Sequence, residues 1–295
     1  MQTEKDLQKP TPAYTLEHIR SADGTTIGYR HLGQGPGVIL VHGGMMAAQN
    51  FMELGTALSD SFSVYIPDRR GRGTSGPHGP DYCLARECED IQALVEQTGA
   101  QNLFGLSSGA IVALQTALIL PDTIRRLAVY EPPLAVNGTK PAGWSPRFER
   151  ELARGDLGAA MITVIKGTGD TSILNWAPRF LLVPFMRFAV EAERREAKAG
   201  EVPIKELIPT MHFDTQLVFE TEEQIERYRL VRAQVLLLGG SQSHKYLRTA
   251  LDALEVTLPD AKRVELLGVG HVAAANGGQP ERVAQELRQF FLSGR

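Results

Sequence analysis

The chain has 295 residues, of which 43% are apolar and 22% charged, ordinary globular proportions that exclude disordered, collagen-like and fibrous chains. At this length one large core carrying an insertion is expected rather than a string of small domains. Lys plus Arg total 31 against 34 Asp plus Glu, a net charge of −3 that offers no general attraction to nucleic acid or to an anionic membrane.

The first segment, MQTEKDLQKPTPAY, lacks the apolar core of a signal peptide. The longest apolar stretch, Ile173 to Val190, is broken by Pro178, Arg179, Pro184 and Arg187, so no membrane span is expected. Two alternating segments, Thr15 to Arg20 and Thr26 to Leu32, flank the turn sequence Ala22-Asp23-Gly24 and predict an antiparallel hairpin. Gly37 to His42 follows as a continuous β-branched run, the pattern of a strand buried on both faces of a parallel sheet. Further strands are predicted at Phe62 to Pro67, Asn102 to Leu106, Leu127 to Tyr130, Gln234 to Leu238 and Arg263 to Leu267. Between them, apolar residues three or four apart predict helices at Gln49 to Leu58, Leu84 to Thr98, Ser108 to Leu120, Tyr246 to Leu258 and Pro280 to Leu292. Strands alternating with helices imply an α/β fold, a mostly parallel twisted sheet with helices on both faces.

One gap interrupts the rhythm. Leu134 to Arg232 reads as helical without core strands, which divides the chain into a core, 1–133 and 233–295, and an inserted helical lid, 134–232, between the sixth and seventh strands. Trp144, Trp176, Phe180, Phe185 and Phe188 in this insertion are read singly as lid core and collectively as signs of an apolar site. Cys83 and Cys88 are too close in sequence for a disulfide framework and fit a reducing compartment, so a cytoplasmic location is expected.

The strongest motif is Gly105-Leu106-Ser107-Ser108-Gly109, set between a predicted strand and a predicted helix. In that context G-x-S-x-G is a nucleophile elbow: the turn presents Ser107 in a strained conformation, and the two glycines let strand and helix approach. Outside it, the same letters would be a glycine-rich turn. His42-Gly43-Gly44 ends the buried strand where a backbone N–H can face an oxyanion, so Gly44 and Ser108, the residue after the nucleophile, are the candidate oxyanion donors. His42 is expected to shape this loop rather than to move a proton. Gly268-Val269-Gly270-His271 puts His271 four residues past the last strand, where a base can take the serine proton. His212, in the lid, and Met45, beside Gly44, are further candidate pocket residues.

The acid that should orient His271 is absent from the loop after the seventh strand, Gly239 to His244, and Asp252 beyond it falls inside a predicted helix. Either the triad is incomplete or the acid comes from elsewhere. Glu131 leaves the preceding strand at its carboxyl end, the edge where open α/β sheets collect their catalytic groups, and Pro132 and Pro133 stiffen the backbone after it. A surface glutamate at a strand exit is the plain alternative, but glutamate is depleted there.

With Ser107, Glu131 and His271 in this order, the chain resembles the α/β-hydrolase superfamily from about Thr15 to Leu292. Asp68-Arg69-Arg70-Gly71-Arg72-Gly73-Thr74-Ser75-Gly76 is similar to a D-x-R-G-x-G-x-S loop of its esterases and haloperoxidase-like members, where the arginines are expected to brace loops. The G-x-S-S-G elbow, the loop holding Gly44 and a glutamate 24 positions after the serine are similar to zearalenone lactonases, from which this chain departs at His42-Gly43 and in its lid. The resemblance implies a serine hydrolase for a small apolar ester or lactone. A cofactor-free haloperoxidase, a C–C bond hydrolase and a non-catalytic ligand-binding protein on the same fold are the alternatives. No dinucleotide fingerprint, P-loop or metal-ligand spacing occurs, so neither cofactor nor metal is expected.

Overall fold

A computed structural model of the chain describes residues 13–168, 177–196 and 200–293. Its frame is one eight-stranded sheet: β1 (Thr15–Arg20), β2 (Thr26–Leu32), β3 (Gly37–Val41), β4 (Ser63–Pro67), β5 (Asn102–Leu106), β6 (Arg126–Tyr130), β7 (Gln234–Gly240) and β8 (Ala261–Leu266), in the order β1-β2-β4-β3-β5-β6-β7-β8. β1 and β2 form the expected hairpin, β2 pairs antiparallel with β4, and every other pairing is parallel. The arrangement is an α/β-hydrolase fold. β7 runs two residues beyond the expected strand end because Gly239 and Gly240 still pair with Glu265 and Leu266 of β8.

Alternation along the strands feeds two cores. Ile39, Val41, Leu103, Leu127, Val129, Val235 and Leu237 face one side, against α2 (Leu84–Thr98), α3 (Ser108–Ile119) and α9 (Lys245–Thr257). Val38, Leu40, Phe104, Leu106, Ala128, Leu236 and Leu238 face the other, against α1 (Met52–Leu58) and α10 (Pro280–Leu292). Each such buried aliphatic or aromatic side chain contributes about 1.5–3 kcal/mol relative to exposure. That burial holds the carboxyl ends of β3, β5, β6 and β7 in register. The loops leaving those ends carry the site.

Between β6 and β7 the described insertion is helical, with α4 (Ser145–Ala153), α5 (Leu157–Thr168), α6 (Arg179–Glu196), α7 (Ile204–Leu207) and α8 (Met211–Glu220). Phe148, Ala160, Val164, Val190, Ile208 and Met211 close a small core of their own there. Among the described residues no helix is long and apolar enough to cross a membrane.

Candidate active site

Ser107 caps α3 directly after β5 with φ 56° and ψ −123°, a conformation that ordinary side chains avoid. The turn is enforced by close packing: a Cβ on Gly105 would fall 2.3 Å from the Gly109 carbonyl oxygen, and one on Gly109 would fall 2.4 Å from those of Val41 and His42. Strand, helix and the β3 loop therefore meet only because both positions lack a side chain. The Ser107 N–H donates to the Tyr130 carbonyl (2.9 Å), tying the elbow to the end of β6.

Glu131 is the next residue after Tyr130. It is completely buried, has φ 49°, and its N–H donates to Leu238 O of β7 (3.2 Å). Its carboxylate reaches sideways under β7: Oε1 accepts the Gly240 N–H (2.6 Å) and Oε2 accepts from His271 Nδ1 (2.7 Å). The paired glycines explain the path, since a Cβ on Gly239 would already stand 3.2 Å from Oε1. The loop that holds no carboxylate instead supplies the room for one arriving from the neighbouring strand. Tyr130 steadies the far end, its hydroxyl donating to Gly270 O (2.8 Å) immediately before His271. Donation from Nδ1 to a carboxylate leaves Nε2 in the accepting role, the tautomer a general base needs. Asp252 takes no part: it is exposed and pairs with Arg263.

Gly44 and Ser108 lie on the walls of one narrow cleft with Ser107, Trp144, Met211, Asp214 and Tyr246. As the first residue of α3, Ser108 has an N–H without an intrahelical acceptor, at the positive end of the helix dipole. His42 is fully buried. Its Nε2 accepts the Arg69 N–H (3.3 Å) and its Nδ1 meets Gly43 O (3.0 Å), while burial, then the charges of Arg72 and Arg69, hold its pKa well below the usual imidazole value. A neutral ring bonded on both sides to backbone shapes the loop, as expected.

Behind this cleft lies an ion cluster that sequence reasoning missed. Arg69 is bidentate to Glu87 (3.0 and 2.8 Å) and donates to Asp214 Oδ1 (2.8 Å) and Ser108 Oγ (3.1 Å). Arg72 Nη2 donates to Asp214 Oδ2 (2.6 Å), and Ser108 Oγ donates to Asp214 Oδ1 (2.8 Å). All five side chains are buried. Arg70 is bidentate to Asp90 (2.8 and 2.6 Å) and also meets Asp23 (2.9 Å), so the arginines of this loop brace structure. The signal for Asp214 was readable in retrospect: Met211, Asp214, Thr215 and Val218 line the cleft at helical spacing, a lone charge in an inward stripe.

The lid candidates fare unevenly. Trp144 lines the cleft and packs edge-on against Phe148 (5.9 Å). Trp176 lies outside the described residues. Phe180 is 74% exposed, Phe185 and Phe188 are likewise exposed, and none of the three lines the cleft, which corrects the reading of them as lid core or pocket wall. The physical reason is that α6 is apolar at every position from Phe180 to Val190 except Arg187, so that stretch does not indicate which face turns inward. His212 turns outward too, bonded to Glu149 (2.9 Å), rather than lining the cleft. Met45, with φ 52°, packs against the small core of the helical insertion next to Gly44.

Comparison with known proteins agrees with the architecture. Residues 38–286 match the model of the alpha/beta hydrolase family. An alpha/beta hydrolase from Sphaerobacter thermophilus superposes with a TM-score of 0.75 at 29% identity, over 93% of this chain and 100% of that one. The enol-lactonase from Burkholderia xenovorans gives 0.68 at 18% identity, over 93% and 99% of the two chains, a likeness of fold alone. A cis-3-alkyl-4-alkyloxetan-2-one decarboxylase from Shewanella oneidensis is 29% identical over 118 residues, 38% of this chain and 37% of that enzyme. The chain spans less than half the length of that relative and of two further curated ones.

Proposed function

Because the chain belongs to the alpha/beta hydrolase family, we propose that it is a serine hydrolase that cleaves a carboxylic ester or lactone through an acyl-enzyme, with Ser107 as nucleophile, His271 as base and Glu131 as the orienting acid. The observation that carries this reading is the 2.7 Å contact between His271 Nδ1 and the fully buried Glu131 carboxylate, which leaves the strand next to that of an elbow serine at positive φ. Ser107 Oγ attacks the carbonyl carbon while His271 Nε2 takes its proton, and the N–H groups of Gly44 and Ser108 receive the oxyanion. Collapse breaks the ester C–O bond, and His271 returns the proton to the departing alkoxide. Water, deprotonated by the same nitrogen, then attacks the acyl group and releases the acid and the free serine. Glu131 holds the ring through Nδ1 and stabilises the imidazolium that forms.

Apolar cleft walls at Trp144, Met211 and Val218 support an apolar acyl or alcohol group. The names of two similar proteins, an enol-lactonase and an enzyme acting on an oxetan-2-one, support including lactones among the substrates. The test is a fluorophosphonate probe with a panel of p-nitrophenyl esters and aromatic lactones. One adduct on Ser107 is expected, together with turnover that disappears in Ser107→Ala. Ester turnover that persists in Ser107→Ala, or an adduct mapped to Ser108, would overturn the assignment.

A further inference from the structure

Both proposed oxyanion donors belong to the hydrolase core, yet one lid side chain touches the surroundings of each. Asp214, in the first turn of α8, accepts the Ser108 hydroxyl at 2.8 Å through Oδ1. Its other oxygen, Oδ2, lies 3.1 Å from the point where a Cβ on Gly44 would stand, beside the Met211 sulfur at 3.0 Å. α8 therefore closes directly over the Gly44 backbone and grips the side chain of the residue whose N–H opens α3.

A carboxylate so near a developing oxyanion would oppose catalysis if its charge were unbalanced. Here it is balanced. Arg69 and Arg72 donate to its two oxygens at 2.8 and 2.6 Å, and Arg69 also bonds the Ser108 hydroxyl at 3.1 Å. Burial alone would push the Asp214 pKa up, but the charges of Arg72 and Arg69 outweigh it and hold the carboxyl well below the usual carboxylate range. Asp214 is thus an ionised, fully hydrogen-bonded strut rather than a proton donor, and it offers three acceptor contacts without presenting a net charge to the cleft.

Resting on the serine-hydrolase reading, we propose that Asp214 is a positioning residue for the oxyanion hole: through Ser108, and through contact over Gly44, it makes the geometry of both backbone donors depend on the lid helix being docked. Losing an oxyanion donor outright costs about 10²–10³ in rate, so releasing the donors while leaving them present is expected to cost about 10- to 100-fold. The loss falls on kcat and on phosphonylation of Ser107, both of which build charge in the hole, and leaves KM within about threefold.

The experiment measures the rate constant of fluorophosphonate labelling and, on any ester turned over, kcat and KM separately, for Asp214→Ala, Asp214→Asn, Ser108→Ala and the double variant Asp214→Ala with Ser108→Ala, each checked for folding by urea melts. Expected are a drop of about 10- to 100-fold in labelling rate and kcat for Asp214→Ala, partial retention in Asp214→Asn, and a double variant no slower than Asp214→Ala alone, because both changes cut one strut. A folded Asp214→Ala labelled at the wild-type rate, or effects that multiply in the double variant, overturn the proposal. Should the Asp214 variants fail to fold, Ser108→Ala labelled at the wild-type rate overturns it, since the proposal requires the Ser108 donor to be held through that hydroxyl as well as Gly44 by contact. A wild-type protein that Ser107 probes do not label fails the hydrolase reading itself, and the strut falls with it; wild-type labelling that vanishes in Ser107→Ala leaves the strut alone on trial.

Discussion

Two buried carboxylates flank the elbow, and they stand in opposite electrostatic situations. Glu131, on the strand side, bonds one backbone N–H and one imidazole. Asp214, on the lid side, bonds a hydroxyl and two guanidinium groups. A permanent cation cancels a carboxylate's charge once and for all. An imidazole does so only when it gains a proton, and under the proposed assignment that happens beside Glu131 as His271 takes up the Ser107 proton. The contrast teaches that burial and hydrogen bonding alone do not mark a catalytic acid. What distinguishes one is a partner whose charge changes during the reaction.

The sharpest way to break this contrast is to neutralise the strand-side acid. Glu131→Gln keeps the size of the side chain and is expected to preserve folding while lowering turnover by about 10³–10⁴-fold, the loss that follows from an imidazole without its orienting charge. Steady-state kinetics on the best ester checks this, with Asp252→Asn as the comparison expected to turn over normally. Near-normal turnover in Glu131→Gln would remove Glu131 from the triad.

The lid-side acid is expected to show itself in stability. Arg69→Met leaves Glu87 with only the Tyr82 hydroxyl and Asp214 with only one guanidinium. Breaking a buried pair in this way costs about 3–5 kcal/mol. Urea denaturation measures the loss, and adding Glu87→Gln to Arg69→Met should recover part of it by removing one uncompensated charge. A loss below about 1 kcal/mol, the value of an exposed pair, would mean the cluster contributes little to holding the lid down.

The smallest effect sharpens the comparison through pH. His78 stacks on Phe213, the residue before Asp214, with ring centroids 3.5 Å apart, and burial followed by the charge of Arg72 pushes its pKa down to about 4. An unfolded histidine titrates at about 6.5. The unfolded chain therefore binds the proton first, and stability is expected to fall as pH drops from about 6.5 to about 4 and to be flat with respect to this group above that window. His42, also held low, contributes in the same direction. His78→Gln should narrow the difference between denaturation midpoints at pH 5 and pH 7. An unchanged difference would show that His78 is not held neutral by its surroundings.

Much of the core was legible in the sequence because its signals are local. Runs such as Val-Ile-Leu-Val at 38–41 mark strands buried on two faces, and glycines at 105 and 109 bracket a serine that needs a crowded turn. Glu131 was legible by its strand-end address, although the reason that it reaches His271 lies in the paired glycines of the adjacent strand, a relation only three dimensions reveal. Asp214 was not found, because its partners Ser108, Arg69 and Arg72 lie more than a hundred residues away and its own helix identifies it only as one polar residue among inward neighbours. Phe180, Phe185 and Phe188 misled for the converse reason: aromatic content reports a potential for burial but not the direction of the face.

The position of Glu131 has a further consequence for how the chain tolerates change. Under the proposed assignment the segment after β7 carries no acid, and it is held by backbone bonds from Ser241 to Leu266 (3.0 Å) and from Gln242 to Val269 (2.9 Å). Ser241 Oγ adds a side-chain tie by accepting the Gly268 N–H (2.9 Å), and Ser243 is buried, so the segment is anchored without an acid of its own. The constraint has moved one step back along the chain, onto Gly240, where a single added methyl would fall 2.3 Å from the Val269 carbonyl oxygen. At Gly239 and Gly240, two hydrogen-sized side chains are thereby the sterically fixed part of this sheet edge.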